Sequence, residues 1–298
     1  MIKNGYLVSE DYFNEGSVAQ KARLQSVTKS FTSALVGIAL DTGCLESVDQ
    51  KMLDFFPDVA DQVADPRKEL ITLQQMLQMR AGYPSEESHP DLWAGLLSGH
   101  YLPLIEAFPL IGDPGTEFHY SNLTSNWLGI IIDRSCGMHL KSYAEEHLFS
   151  STGIEAGEWG TDWDGHNNGC GDLHLTARDM GKFGMLYLNG GEYQAQQIIP
   201  PEWIDASLRT YSEGAWGDIG RFRDIGYGYH WWTARAGEYD INFAWGHGGQ
   251  LIVLVDELDM IVVVTADPFF LEHNSESWKH EKAHISLVAD FISSLLVE

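Results

Sequence analysis

Three stretches near the C-terminus constrain this chain most. IGYGYHWWTAR (225–235), INFAWGHGGQLIVLVDE (241–257) and MIVVVTAD (260–267) are rich in β-branched and aromatic residues, a composition that fits a pleated, buried surface. Short polar turns such as DELD separate them. Connections that short join antiparallel neighbours, because a parallel pair needs a crossover on the order of a dozen residues or more. The closing segment WKHEKAHISLVADFISSLLVE reads as a helix with Ile285, Val288, Ile292 and Leu295 on one side, a face suited to packing on that sheet. At the other end of the chain, IKNGYLVSEDYF reads as a hairpin turned at Asn4-Gly5. Between about 46 and 215 the pattern is helical pieces and long loops. LTSNWLGIIIDRSCG stops at Gly137, and ARDMGKFGMLYLNGG is capped by Thr176 and Asp179 and stops at Gly190-Gly191. The expectation is an α/β (α+β) fold whose antiparallel sheet is built from both termini, flanked by helices, with an inserted mainly helical region. The division reads as 1–25 plus 216–298 for the sheet and 26–215 for the helical region, with the active site between them.

Composition removes several functions. The 298 residues are enough for a sizeable core. With 18 basic residues against 43 acidic ones the net charge is −25, which disfavours nucleic acid and anionic membrane as partners. No apolar run is long enough to span a bilayer. MIKNGYLVSE has no apolar core of a signal peptide, so the expected location is cytoplasmic on this chain, and periplasmic or secreted if a leader precedes it. Cys44, Cys136 and Cys170 have no metal-like or redox spacing and read as free thiols.

LQSVTKSFTSALVGIAL (24–40) reads as an amphipathic helix, with Phe31, Ala34, Leu35 and Ile38 at helical spacing and Gly43 as its stop. Ser26 and Lys29 at its mouth share one face. One reading is an N-cap serine and a solvated lysine. The other is a nucleophile and its base: a dry, positively flanked lysine with a lowered pKa takes the proton that keeps a serine hydroxyl weak, and the helix N-terminus favours an oxyanion. Tyr120-Ser121-Asn122 supplies a phenol that could relay protons and an amide that could orient Lys29 and substrate. The alternatives are a packed aromatic and an Asx cap. In WGHGGQLIVLV, Gly248 and Gly249 allow a close backbone approach, and the Gln250 N–H is a second oxyanion donor beside that of Ser26. His247 is a contact for a substrate carboxylate or for the Tyr120 hydroxyl. The alternative there is a glycine-rich bend before an edge strand.

With S-x-x-K, Y-x-N and a glycine-rich third motif in this order, the chain resembles the serine β-lactamase and penicillin-binding-protein superfamily. Within it, the Y-x-N form is similar to the class C branch, and to its β-lactamase-related esterases and 6-aminohexanoate-dimer hydrolases. QSVTKSFTSALVGIAL, PGTEFHYSNLTSNWLGIII, LTARDMGKFGMLYLNGG, QQIIPPEW and GHGGQ carry the likeness. It implies a β-lactamase-like fold and no cofactor. It also implies Ser26 as acylated nucleophile, Lys29 as base, Tyr120 as proton relay, and Asn122 with the His247–Gln250 stretch as substrate contacts. The family's third motif usually begins Lys-Thr; here it is His247-Gly248. A permanent cation and a hydroxyl that hold a β-lactam carboxylate are therefore replaced, which favours a small neutral carboxylic ester, with an amide or β-lactam as alternative. Relatives usually carry a helix and a fuller strand before the hairpin in which this sequence begins.

Two rival sites are present. HEKAH (280–284) matches the H-E-x-x-H of zinc peptidases, but a third ligand is missing downstream, and two surface histidines on a polar face is the competing reading. His166, Cys170, Asp172 and His174 cluster in HNNGCGDLH, in a loop-like glycine and asparagine context. The expectation is therefore no metal. A non-catalytic binding protein is the third class, opposed by the intact Ser26, Lys29 and Tyr120. The aromatics Tyr83, Trp93 and Trp216 are candidates for the acyl pocket wall.

Overall fold

The structure, a computed structural model, describes residues 1–271 and 275–295. Its strands are β1 (Ile2–Lys3), β2 (Tyr6–Leu7), β3 (Lys21–Arg23), β4 (His174–Thr176), β5 (Glu192–Tyr193) and β6 (Gln196–Gln197). After the helical region come β7 (Phe222–Tyr227), β8 (Trp232–Ala236), β9 (Tyr239–Gly246), β10 (Gln250–Val255) and β11 (Met260–Val264). Seven strands form one sheet in the order β2-β1-β11-β10-β9-β8-β7. Every pairing in it is antiparallel. The N-terminal hairpin joins it because Ile2 pairs with Ile261 and Lys3 with Met260. Asn4 and Gly5, at φ 51° and 74°, give the left-handed turn that matches strand twist. The sheet is therefore made from both ends of the sequence, as the residue pattern predicts.

The apolar runs are explained by burial on both faces. Along β10, Ile252 and Leu254 point into a core shared with the helices of the middle region. Leu251, Val253 and Val255 point into a second core under the C-terminal helix Ser275–Ser294, with its Ile285, Val288 and Ile292. Alternate residues on a strand face opposite sides, so a strand between two helical layers needs apolar residues at every position. β10 is thus central, not an edge.

The helix Thr28–Asp41 differs from its expected amphipathic form. Every residue from Thr28 to Ala39 is buried, and a helix buried all round shows no solvent face. Its polar side chains are satisfied internally: Ser30 Oγ donates to the His230 carbonyl at 2.7 Å, and Thr32 Oγ1 to the Gly169 carbonyl at 2.8 Å. Thr42 caps it and Gly43 follows at φ 79°. A second helix, Asn122–Cys136, starts from Ser121, whose Oγ accepts from Thr124 N, and ends at left-handed Gly137. No helix among the described residues is long and apolar enough to cross a membrane.

Candidate active site

The candidate nucleophile sits on a tight turn just ahead of the buried helix, within the 3-10 helix Gln25–Val27. Gln25, immediately before it, has φ 50°, sparsely populated by residues with a β-carbon. The turn lies against the sheet at Gly246, where any side chain would collide with the Leu24 carbonyl oxygen. Strand β9 and the nucleophile turn are thereby locked together.

One turn on, Lys29 is 1 % exposed. Its Nζ lies 3.0 Å from Ser26 Oγ, 2.7 Å from Asn122 Oδ1 and 2.9 Å from the Cys170 carbonyl oxygen. The last two are obligate acceptors, whereas the hydroxyl can donate or accept. As an ammonium, Lys29 donates to all three. As a neutral amine, it keeps its two N–H groups on Asn122 and Cys170 and turns its lone pair to the Ser26 hydroxyl. The geometry fits both protonation states. Burial is the largest single influence on Lys29 and pushes its pKa down; Tyr120, Cys170 and Glu86 push it up and together prevail. The expected positively flanked lysine is therefore corrected: its neighbours are acidic groups, and its pKa lies above the ordinary value. Tyr120 is close, its ring centroid 4.9 Å from Lys29 Nζ, and it stacks on Trp232 at 5.8 Å.

Two elements deliver the partners of Lys29. Gly169 lies so close to Ser125 that a β-carbon would strike the Ser125 carbonyl oxygen. This close packing on the helix Asn122–Cys136, with Cys170 N donating to Asn126 Oδ1 at 2.9 Å, presents the Cys170 carbonyl. Asn122 is oriented by Glu86, a buried carboxylate without a sequence signal of its own. Glu86 accepts from Ser121 Oγ, Asn122 N and Leu123 N at 2.9 Å each, and from Asn122 Nδ2 at 3.3 Å. A carboxylate can only accept, so it draws the amide nitrogen and leaves Oδ1 facing Lys29. Burial raises the Glu86 pKa against those hydrogen bonds. Behind Lys29, His230 Nδ1 lies 3.0 Å from the Lys29 carbonyl oxygen; burial, then the Lys29 charge, push His230 down to about 3.

Ser26, Tyr120, Asn122 and His247 open onto one cavity of about 390 Å³. Its walls include Trp93, Trp216, Trp232, Trp245 and Trp278. Trp93 and Trp216 stand where the sequence placed them. Tyr83 does not: it is 1 % exposed and its hydroxyl donates to the Ile105 carbonyl at 2.7 Å, inside the core. Arg23 also lines the cavity, but its Nε donates to Asp172 Oδ1 at 2.6 Å.

The third motif is arranged differently from the sequence expectation. His247 Nδ1 lies 2.9 Å from Glu281 Oε2, a partner that the sequence reading did not name. Gly248 and Gly249 have φ 82° and 95°, but the space above them is filled by protein. A β-carbon would come within 2.5 Å of Pro268 Cα at Gly248 and of His284 Nδ1 at Gly249. Their glycines admit a loop and the C-terminal helix to the backbone. The Gln250 side chain is turned to Ala266, donating to its carbonyl at 2.6 Å and accepting from its N–H at 3.1 Å. Any oxyanion contact of Gln250 thus rests on its backbone at the start of β10.

Glu281 explains why HEKAH resembled a zinc motif without being a polar surface. It is 1 % exposed and accepts from Trp245 Nε1 at 2.6 Å and from Gly248 N at 2.8 Å, besides His247. The glutamate of the motif reaches through to the cavity, and His280 and His284 are half-buried with rings 4.4 Å apart. The four residues of HNNGCGDLH do not converge either. His166 turns to Asp133, Cys170 to Asn126 and Lys29, Asp172 to Arg23, and His174 to the Glu158 and Asp172 carbonyls.

The Beta-lactamase family matches residues 19–276 of the chain. The 6-aminohexanoate-dimer hydrolase of Paenarthrobacter ureafaciens is 24% identical over 282 residues, 88% of this chain and 70% of that protein. A monacolin J acid methylbutanoyltransferase of Aspergillus terreus is 29% identical over 152 residues, 44% of this chain; the match spans 36% of that enzyme's length. Among solved structures, a proposed 6-aminohexanoate-dimer hydrolase from Bacillus anthracis shares the fold. It aligns with a TM-score of 0.78 at 22% identity, over 99% of this chain and 79% of that one.

Proposed function

Because the chain belongs to the Beta-lactamase family of serine hydrolases, we propose that it hydrolyses small, neutral carboxylic esters through an acyl-enzyme on Ser26. The observation that carries this reading is the three-way grip on Lys29, one arm of which is the Ser26 hydroxyl.

Ser26 Oγ attacks the substrate carbonyl carbon and its proton passes to the Lys29–Tyr120 pair. The competent pair is one proton short of full load, either amine with phenol or ammonium with phenolate. These are two forms of one coupled titration. The raised Lys29 pKa keeps the lysine an ammonium; in the ammonium–phenolate form Tyr120 receives the proton while Lys29 holds the charge in place. The tetrahedral oxyanion is stabilised by the Ser26 and Gln250 N–H groups. Collapse breaks the bond to the leaving group, which takes its proton from Tyr120. Water then attacks the acyl-enzyme, yields its proton to the same pair, and the acid leaves as Ser26 is reprotonated.

Neutral substrates follow from the wall of the cavity. The cation that would anchor a carboxylate is replaced by His247 beside the Glu281 carboxylate. Arg23 is neutralised by Asp172. Tryptophans offer apolar and π surface to an acyl chain. Amide hydrolysis is the second reading, favoured by the likeness to a 6-aminohexanoate-dimer hydrolase across 88% of this chain.

The test is hydrolysis of short-chain p-nitrophenyl esters, matching anilides and a chromogenic β-lactam by wild type and Ser26→Ala. The expected result is turnover strongest with esters, lost in Ser26→Ala, and untouched by a zinc chelator. Full activity in Ser26→Ala would overturn the assignment of the nucleophile. A β-lactam preferred to the esters would overturn the substrate class.

A further inference from the structure

We propose a second, non-catalytic site: a divalent transition-metal site formed by Asp133, His139 and His166. Each offers one donor atom, and the three atoms lie within 4.8 Å of one another. His166 Nδ1 is 2.9 Å and His139 Nδ1 3.3 Å from the same oxygen, Asp133 Oδ2. A metal with ligand bonds near 2 Å holds its donors roughly 3–3.5 Å apart, so the two nitrogen–oxygen separations already fit, and the imidazole donors, within 4.8 Å of each other, close on the ion by rotation of the exposed His139 side chain.

Three separate elements bring the donors in, each fixed on its own account. Asp133 lies in the last full turn of the helix Asn122–Cys136. His139 follows the left-handed Gly137 that ends that helix and precedes the helix Leu140–Ala144. His166 sits on a loop closed by Asp162, whose Oδ1 accepts from His166 N at 2.8 Å and from Asp164 N at 3.0 Å. Asn167 then ties that loop to the helix after His139, its Oδ1 accepting from Lys141 N at 3.1 Å. The donors are therefore placed by backbone that the fold already holds.

A plain pair of histidines on a carboxylate accounts for only half of Asp133. The residue is 8 % exposed, and its second oxygen, Oδ1, is buried without a hydrogen-bond partner. Leaving a buried carboxylate oxygen unpaired is costly. A cation shared by Asp133 and the two imidazoles removes that cost, since a carboxylate can present either oxygen or both. The site is open on one side. The His139 side chain is 68% exposed, and a surface cavity bordered by Gly137, Met138 and Ser142 adjoins the donors, leaving room for water as the remaining ligand. Two imidazoles with one carboxylate select zinc, cobalt or nickel over magnesium or calcium, which prefer all-oxygen sites.

The experiment uses untagged, chelator-treated full chain titrated with Zn2+ by calorimetry and with Co2+ by visible absorption. The expected result is one equivalent of Zn2+, a saturable rise in Tm, an enhanced Co2+ ligand-field spectrum, and no response to Mg2+. His139→Ala, at an exposed position that the fold tolerates, should abolish the stoichiometric binding; Asp133→Asn and His166→Ala should do the same. Absence of stoichiometric Zn2+ binding to wild type overturns the proposal. So does a one-equivalent isotherm that survives in His139→Ala.

Discussion

Replacing Glu281 by glutamine isolates what the C-terminal helix does for the active site. The carboxylate accepts from Trp245 Nε1 on Oε1, and from Gly248 N and His247 Nδ1 on Oε2. Glutamine has the same size but puts an amide nitrogen in place of one oxygen. Whichever way the amide turns, at least one buried donor faces another donor. An unmatched buried donor costs about 1–3 kcal/mol. In a chain of this size that lowers Tm by roughly 2–10 °C. The loop that loses its anchor carries His247 and leads directly into Gln250. Misplacement of such groups by about 1 Å is worth up to about 10²-fold in rate, so ester kcat/KM should fall by roughly 10- to 100-fold. Thermal denaturation and steady-state hydrolysis of a p-nitrophenyl ester read the two effects. Glu281→Ala, which orphans all three donors, should be worse on both counts. A glutamine variant with wild-type Tm and kcat/KM would refute the reasoning, because packing of the helix would then hold the loop without the carboxylate.

Two other substitutions probe the shell behind Lys29. Glu86→Ala removes the acceptor that orients Asn122, so kcat should fall at least 10-fold with little change in KM; an unchanged kcat beside a lowered Tm would mean that Glu86 only caps the helix. His230 is neutral in the fold, with its pKa pushed from 6.5 down to about 3, first by burial and then by Lys29. Because the unfolded chain takes up this proton and the folded chain does not, the stabilisation is complete above pH 6.5 and is lost as pH falls toward 3. The slope is up to about 1.4 kcal/mol per pH unit. His230→Asn should be less stable at pH 7 yet lose stability less steeply between pH 6 and 4, and parallel wild-type and variant curves in denaturant titrations would count against it.

The sequence was sufficient for those features that depend on neighbours along the chain. The Asn4-Gly5 turn, the Thr176–Asp179 cap and the stops at Gly43 and Gly137 appear where local propensity puts them. The apolar runs from 225 onward announced a buried antiparallel sheet, because turns so short leave the chain no other way to pair strands. The S-x-x-K spacing could be read because residues three apart on a helical turn are neighbours before any tertiary contact forms.

Groups far apart in sequence were another matter. Glu86 has no spacing or motif to mark it, and it matters only because folding sets it on the first turn of a helix that begins 36 residues later. Lys29 was expected among positive neighbours, but the loop around Cys170 and the segments that carry Glu86 and Tyr120 put acidic groups beside it. HEKAH shows the same limit from the other side. Its helical spacing was legible, whereas the direction in which Glu281 points was decided by a sheet face that admits a carboxylate only where Trp245, His247 and the Gly248 amide converge on it. Local sequence specifies hydrogen bonds that close within a few residues; partners for buried charge are chosen by the packing of elements, which no single segment encodes.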